Sequence, residues 1–306
     1  MYKILFVHKG SNYKQGRSET RSSEPCFGSI WTSSLPASLL SQHYCEVLPD
    51  HLLISQGDRK GLIYVIISVV SGTGFANSFF QQILRPYLSA LGLENYEVVQ
   101  TQSDRTITEL THSKLLEDAR LGVPQTIILL SGDGGLMDIV DMFYHAPDKV
   151  LLAPPTIALI PTGTGNAMAS SMGLLDSPSS ALRALLRGSK RFLPVLEASF
   201  TPGSRFVIEE GQNRAPISKN SNIGEYQINP KVYGAVVASW GVHAALVADS
   251  DTVEYRRFGA DRFKMAAKEL LYPSDGTSTH TYQGKITISV IDDENGSKKT
   301  QSMDQN

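Results

Sequence analysis

The chain has 306 residues, of which 41% are hydrophobic, enough for a substantial core and long enough for two domains. A formal net charge of −2 excludes a global electrostatic pull toward nucleic acid. Two cysteines, Cys26 and Cys45, are too few for a disulfide framework or a cysteine metal cluster, so no metal site is expected and a reducing, cytoplasmic compartment fits.

In chain order, residues 1–60 read as an N-terminal extension, partly irregular. Met1–Val7 is too short for a secretory signal, and His8, Lys9 and Gly10 end it. Residues 11–35 are polar and Ser-rich, which reads as loop. Order begins at Leu62–Ile67, a continuous apolar run of the buried-strand type. The whole apolar stretch to Val70 falls short of the roughly 20 residues that cross a bilayer, so no integral membrane segment is expected. A glycine turn follows, Ser71-Gly72-Thr73-Gly74. Phe79, Ile83, Tyr87 and Leu91 then recur at helical spacing, with Pro86 as a kink. Tyr96–Val99 reads as a strand. The next helix runs from Asp104, as N-cap, to a stop at Gly122. Strand 126–130, helix 135–145, strand 157–160, helix 166–173 and helix 179–187 complete residues 61–192. Strands alternating with helices at this spacing predict an α/β fold with a doubly wound, mostly parallel sheet. Ligands of such sheets bind beyond the carboxyl ends of the strands, where all three glycine turns fall.

From residue 193 the texture changes. Val195–Phe200, Val232–Ser239 and Lys285–Ile291 read as strands, 202–231 as a polar stretch, and 292–306 as a polar tail without core-forming residues. Residues 193–306 therefore read as a β-rich second domain.

Two glycine turns stand out as chemistry-bearing. Ser131-Gly132-Asp133-Gly134-Gly135 follows the apolar run Thr126–Leu130, and Pro161-Thr162-Gly163-Thr164-Gly165-Asn166 follows Ile157–Ile160. Glycines at a strand-to-helix turn let backbone N–H groups approach an anion, and the helix start adds positive potential. Asp133 sits between glycines at such a turn. On its own it reads equally as an Asp that satisfies turn amides. Asp138, on the following helix, either returns to the same crevice or is a solvated helix-face residue favoured by the dipole. The Ser71–Gly74 turn lacks the Lys-Ser/Thr ending of a Walker A loop, which speaks against a P-loop ATPase. Tyr255-Arg256-Arg257-Phe258-Gly259 with Asp261-Arg262-Phe263 reads, from its residues, as a helix with an exposed basic face.

The pair of turns, taken together with Ser239-Trp240-Gly241, Ala248-Asp249 and the Tyr255–Phe263 block, resembles the diacylglycerol kinase catalytic superfamily, in its sphingosine and ceramide kinase branch. The resemblance covers residues 62–290. It implies an ATP-dependent lipid kinase with Mg²⁺, an active site in the cleft between two domains, and a second domain that is β-sandwich-like and incomplete. It implies Asp133 as catalytic base. It implies nucleotide contacts from Ser71, Gly72, Thr73, Gly74, Thr101, Gly132, Gly134, Asp138, Thr162, Gly163, Thr164, Gly165, Asn166, Arg256 and Arg262, and lipid contacts from Ser131 and Asp249. The substrate implied is a sphingoid base first and diacylglycerol second, met at a membrane surface by peripheral association. Two departures stand out: Ser68-Val69 replace the family's Asn-Pro before the first turn, and nothing after residue 290 matches its C-terminal Gly-Asp-Gly segment. The latter leaves a noncatalytic nucleotide- or lipid-binding protein as the alternative. An NAD kinase-like enzyme is a further one, disfavoured by the Thr-Gly-Thr-Gly-Asn turn. No helix shows the basic, aromatic-rich face of an interfacial anchor.

Overall fold

The computed structural model describes residues 1–9, 25–54, 61–69, 71, 72, 74–146, 153–177, 179–200, 204–208, 213–216, 231–279, 281, 282, 284–291 and 298–305. Packing divides the chain into one unit drawn from residues 1–202 and 223–237 and another from 203–222 and 238–306.

The first unit opens with an antiparallel pair, β1 (Tyr2–Lys9) and β2 (Pro25–Thr32). Part of the stretch expected as loop is therefore strand; residues 10–24 lie outside the described residues. The Ser, Gly and Pro content hid β2, whose order comes from the eight-residue register with β1. Helices α1 (Ala37–His43) and α2 (Asp50–Leu53) follow. Helix α2 belongs to the core: Leu52 is fully buried, and Thr126 Oγ1 donates to the His51 carbonyl at 2.6 Å. His51 Nε2 lies 2.8 Å from the Leu185 carbonyl, which requires the proton on that nitrogen. Burial, above all, holds the His51 pKa below its ordinary 6.5.

Strand β3 (Leu62–Ile67) leads into α3 (Phe75–Phe79), a π-helical turn over Phe80–Leu84, and α4 (Arg85–Ala90). Pro86 stands in the first turn of α4. It has no N–H for the i−4 carbonyl, and the wider turn just before it absorbs that defect without ending the helix. Strand β4 (Glu97–Gln100) precedes α5 (Thr106–Leu110), a second π turn over Thr111–Leu115, and α6 (Leu116–Arg120). Asp104 is not the cap. The chain turns instead on Thr106 Oγ1, which accepts from the amides of Gln102 and Ser103 at 3.0 Å each. Gly122, at φ +74, ends the helix as its sequence position requires.

Strand β5 (Gln125–Ser131) is buried along its whole length and runs into α7 (Asp133–His145). Strand β6 (Thr156–Pro161) runs into α8 (Ala167–Ser171), and α9 (Ser180–Arg187) follows. The sheet is parallel, in the order β4-β3-β5-β6. Both central strands are buried on both faces, so they read as unbroken apolar runs rather than alternating ones. One core holds Ile63, Val65 and Ile67 with Ile83, Leu84 and Leu182; the opposite one holds Tyr64 and Ile66 with Leu115, Leu136 and Ile139. A short antiparallel pair, β7 (Leu196–Ser199) with β10 (Lys231–Gly234), completes the unit; between them in sequence, β8 (Arg205–Ile208) and β9 (Asn213–Pro216) pair in the other unit.

That second unit also contains helices α10 (Val242–Ser250), α11 (Val253–Arg256) and α12 (Asp261–Leu271), and the hairpin of β11 (Gly284–Ile291) with β12 (Lys298–Gln305). The expected polar tail thus forms a strand across residues 298–305. It carries no apolar run because its role is cross-strand pairing: Ser302 meets Thr287 at 3.2 Å and Thr300 meets Ser289 at 3.0 Å, hydroxyl to hydroxyl.

Candidate active site

Parallel strands β3, β5 and β6 deliver the three glycine turns to one edge of the first unit. The turns are in van der Waals contact through their glycines. A methyl group on Gly72 would stand 2.5 Å from the Thr162 carbonyl oxygen, and Gly72 also has φ +61. A methyl on Gly163 would collide with Gly132 Cα and stand 2.9 Å from Gly132 N. One on Gly132 would reach the Gly165 carbonyl at 3.3 Å. Any side chain at these positions would push the turns apart. Two hydrogen bonds add to the packing: Gly132 N donates to Ser71 Oγ at 3.1 Å, and Thr162 N donates to the Ser131 carbonyl at 3.2 Å.

Asp133 opens α7 and reaches across to the next helix. Its Oδ2 accepts from Ala167 N at 2.7 Å and its Oδ1 from Met168 N at 3.1 Å. These are orphan amides of the first turn of α8, so Asp133 caps a helix 34 residues away. Asn166, at the usual capping position, is used elsewhere. Its Nδ2 donates to the Gly163 carbonyl at 2.6 Å and its Oδ1 accepts from Gly163 N at 3.3 Å, which fixes the Thr162–Asn166 turn. Each Asp133 oxygen keeps a second lone pair for a further donor. The carboxylate is therefore oriented by the protein and still able to accept a proton.

Other expected site residues divide into those committed to the scaffold and those left open. Thr101 is buried, and its Oγ1 accepts from Val69 N at 3.1 Å, bracing the first turn where the family's Asn-Pro is missing. Ser131 is buried, and a methyl on Gly135 would stand 2.6 Å from its Oγ. Thr162 Oγ1 is buried without a partner among the described residues. Gly134 faces open space: a methyl there would meet nothing within 4 Å. Thr164 is partly exposed and Gly165 exposed. Burial, then the neighbouring Asp141 and Asp104 charges, push the Asp138 carboxyl up to about 6.

Thr73 lies outside the described residues. Asp249, Arg256 and Arg262 fall in the second unit. Asp249 is exposed on α10, and Arg256 ends α11. Arg262, at the start of α12, is mostly buried; its Nη1 donates to Asp251 Oδ1 at 3.0 Å, and its Nε has no partner among the described residues. The basic face expected over 255–262 is split between two helices, with Gly259 at φ +56 between them. The Ala167 and Met168 amides, which hold Asp133, are no part of the sequence pattern. An Asp followed by a distant Asn-Ala helix start carries no local signal for such a bond.

The chain is similar in sequence to known proteins. Residues 62–198 match the diacylglycerol kinase catalytic domain. The chain's curated relatives include sphingosine kinases. Sphingosine kinase 1 of Arabidopsis thaliana is 23% identical over 81% of this chain and 47% of its own length. Human sphingosine kinase 2 is 22% identical over 79% and 32% respectively. Sphingoid long chain base kinase 5 of Saccharomyces cerevisiae is 31% identical over 42% of this chain and 18% of its own. The chain thus spans about half the length of the plant relative and a third of the human one. A diacylglycerol kinase structure from Bacillus anthracis aligns over 42% of this chain and 40% of its own at 20% identity, with a TM-score of 0.31. Within the matched catalytic domain lie β3, β5, β6 and all three glycine turns. No helix among the described residues is long and apolar enough to cross a membrane.

Proposed function

We propose that the protein is an ATP-dependent lipid kinase whose acceptor is the hydroxyl of a sphingoid base, with diacylglycerol as the second candidate. The observation that carries this reading is the contact of the Gly72, Gly132 and Gly163 turns around Asp133. Backbone amides of those turns and the start of α7 suit a polyphosphate. Gly134 leaves room beside them, and the unpartnered Thr162 hydroxyl supplies a buried donor.

In the reaction, the lipid oxygen bonds to the γ-phosphorus as the bond from that phosphorus to the β,γ-bridging oxygen breaks, and the bridging oxygen leaves with ADP. The lipid hydroxyl proton passes to a free lone pair of Asp133. An alcohol does not ionise beforehand, so the carboxylate only has to take the proton as transfer proceeds, and most of the rate comes from positioning and charge stabilisation. Among the described residues no three acidic, His or Cys side chains converge as a metal cage. Mg²⁺ is usually held by nucleotide phosphates and one or two carboxylates; Asp133 would be the carboxylate here, and the ion would neutralise phosphate charge. The resemblance assigns Arg256 and Arg262 to the phosphates and Asp249 to a cationic amine. A carboxylate at Asp249 favours a sphingoid base, which has such an amine, over diacylglycerol, which lacks one.

The two amide bonds to Asp133 favour a second role for the same residue, as the positioner of α8 and the Thr162–Asn166 turn. Phosphate transfer from labelled ATP to a panel of sphingosine, diacylglycerol and ceramide, with wild type and Asp133→Asn, tests both. Turnover lost with nucleotide affinity intact supports the base. Turnover and affinity lost together support the positioner. Nucleotide binding by the wild type with no lipid phosphorylated overturns the kinase reading in favour of a noncatalytic binding protein.

A further inference from the structure

Helix α9 buries Ala181, Leu182 and Leu185 and presents Arg183 and Arg187 outward, one helical turn apart. The two arginines line a groove of about 280 Å³ with Gln42, Ser180 and Met172, and Arg187 donates to the Gln42 carbonyl. Beyond Gly188 the chain adds Lys190 and Arg191, both exposed, and then Phe192, whose side chain is fully exposed. No Asp or Glu occurs from residue 177 to 196. None of the four cations forms an ion pair among the described residues. Met172 and Leu175, ahead of the helix, are half-exposed.

We propose that this surface docks the protein on an anionic lipid bilayer, with the arginine groove seating lipid phosphates and Phe192 entering the acyl boundary. An ordinary solvated basic face has no use for a bare phenyl ring beside it. A nucleic-acid strand would be met by several aromatic platforms along a groove. Here one fully exposed ring directly follows two exposed cations in the sequence, with half-exposed aliphatic side chains ahead of the helix, which is the composition of an interfacial anchor. It is built from a helix face and the segment after it, so a search for one amphipathic helix misses it. The inference deepens the lipid-kinase reading by giving it a route to a membrane-borne substrate, but its test uses neither nucleotide nor sphingoid base.

The experiment is co-sedimentation of the full chain with vesicles of phosphatidylcholine alone or with about 30 mol% phosphatidylserine, at low and high salt. Each cation near an anionic surface is worth roughly fivefold in partitioning, so Lys190→Gln/Arg191→Gln is expected to weaken binding roughly 25-fold. Phe192→Ser is expected to weaken it at both salt concentrations, because its contribution is apolar. Unchanged thermal melting of both variants shows that the fold is kept. Equal binding to the two vesicle types, binding to neither, or a charge variant that binds like wild type overturns the proposal. Failure of the phosphorylation assay with vesicle binding intact would remove the kinase reading and leave this one standing.

Discussion

Two glycines of the candidate site should respond to alanine in opposite ways. At Gly163 the new methyl would stand 2.9 Å from Gly132 N and closer still to Gly132 Cα. Comfortable contact needs about 3.5–4.0 Å, and both obstacles are backbone, so a whole turn must shift. Overpacking of this kind costs about 1–3 kcal/mol. For a unit of this size that lowers Tm by about 2–4 °C per kcal/mol. At Gly134 the methyl meets nothing within 4 Å, and the residue lies in the first turn of α7. Alanine there should leave stability unchanged or raise it by up to about 1 kcal/mol. Phosphates packed against the open Gly134 backbone would nevertheless be displaced by that methyl. Thermal melting of Gly163→Ala and Gly134→Ala, with and without a nonhydrolysable ATP analogue, reads both effects. The expected result is a destabilised Gly163→Ala, and a stable Gly134→Ala with little or no nucleotide-induced shift in Tm. A Gly163→Ala protein as stable as wild type would refute the packing of the turns. A Gly134→Ala protein with a wild-type nucleotide shift would refute the placement of phosphates there.

Three further tests concern groups inside the first unit. Asp133→Asn removes one acceptor from the α8 amides and is expected to cost about 1 kcal/mol in stability, while lowering turnover about 10²–10⁴-fold if the residue is the base. The Asp138 pKa is raised from 3.8 to about 6, so the folded state favours the protonated form; its penalty is absent below the unfolded value, grows as pH rises and is complete above about 6. Asp138→Asn should therefore raise stability at neutral pH by about 1–3 kcal/mol and leave it unchanged in acid, measured by urea unfolding across pH. His51 is shifted the other way, below 6.5, so the folded state favours the neutral ring and stability is lost as pH falls from 6.5 toward the folded value. His51→Gln keeps a donor for the Leu185 carbonyl and cannot titrate, so its unfolding midpoint should fall less than that of wild type over that range.

Much of this protein is legible along the chain. Leu62–Ile67 and Gln125–Ser131 are long apolar runs because both faces of each strand are covered, and burial of that kind leaves a mark in the sequence. The strand-to-helix turns are marked by their glycines, and Gly122 and Gly188 mark helix ends, because tight or left-handed backbone restricts the residue locally. Tertiary structure alone decided that Gly72, Gly132 and Gly163 touch, and that Asp133 caps a helix 34 residues away. It also decided that α2 enters the core through Leu52 and His51, and that 298–305 is a strand. Periodicity reports only whether a side chain is buried, whereas those four outcomes depend on which distant segment arrives beside it. Such a meeting is fixed by where the chain brings distant segments together and leaves no repeat in the sequence of either partner.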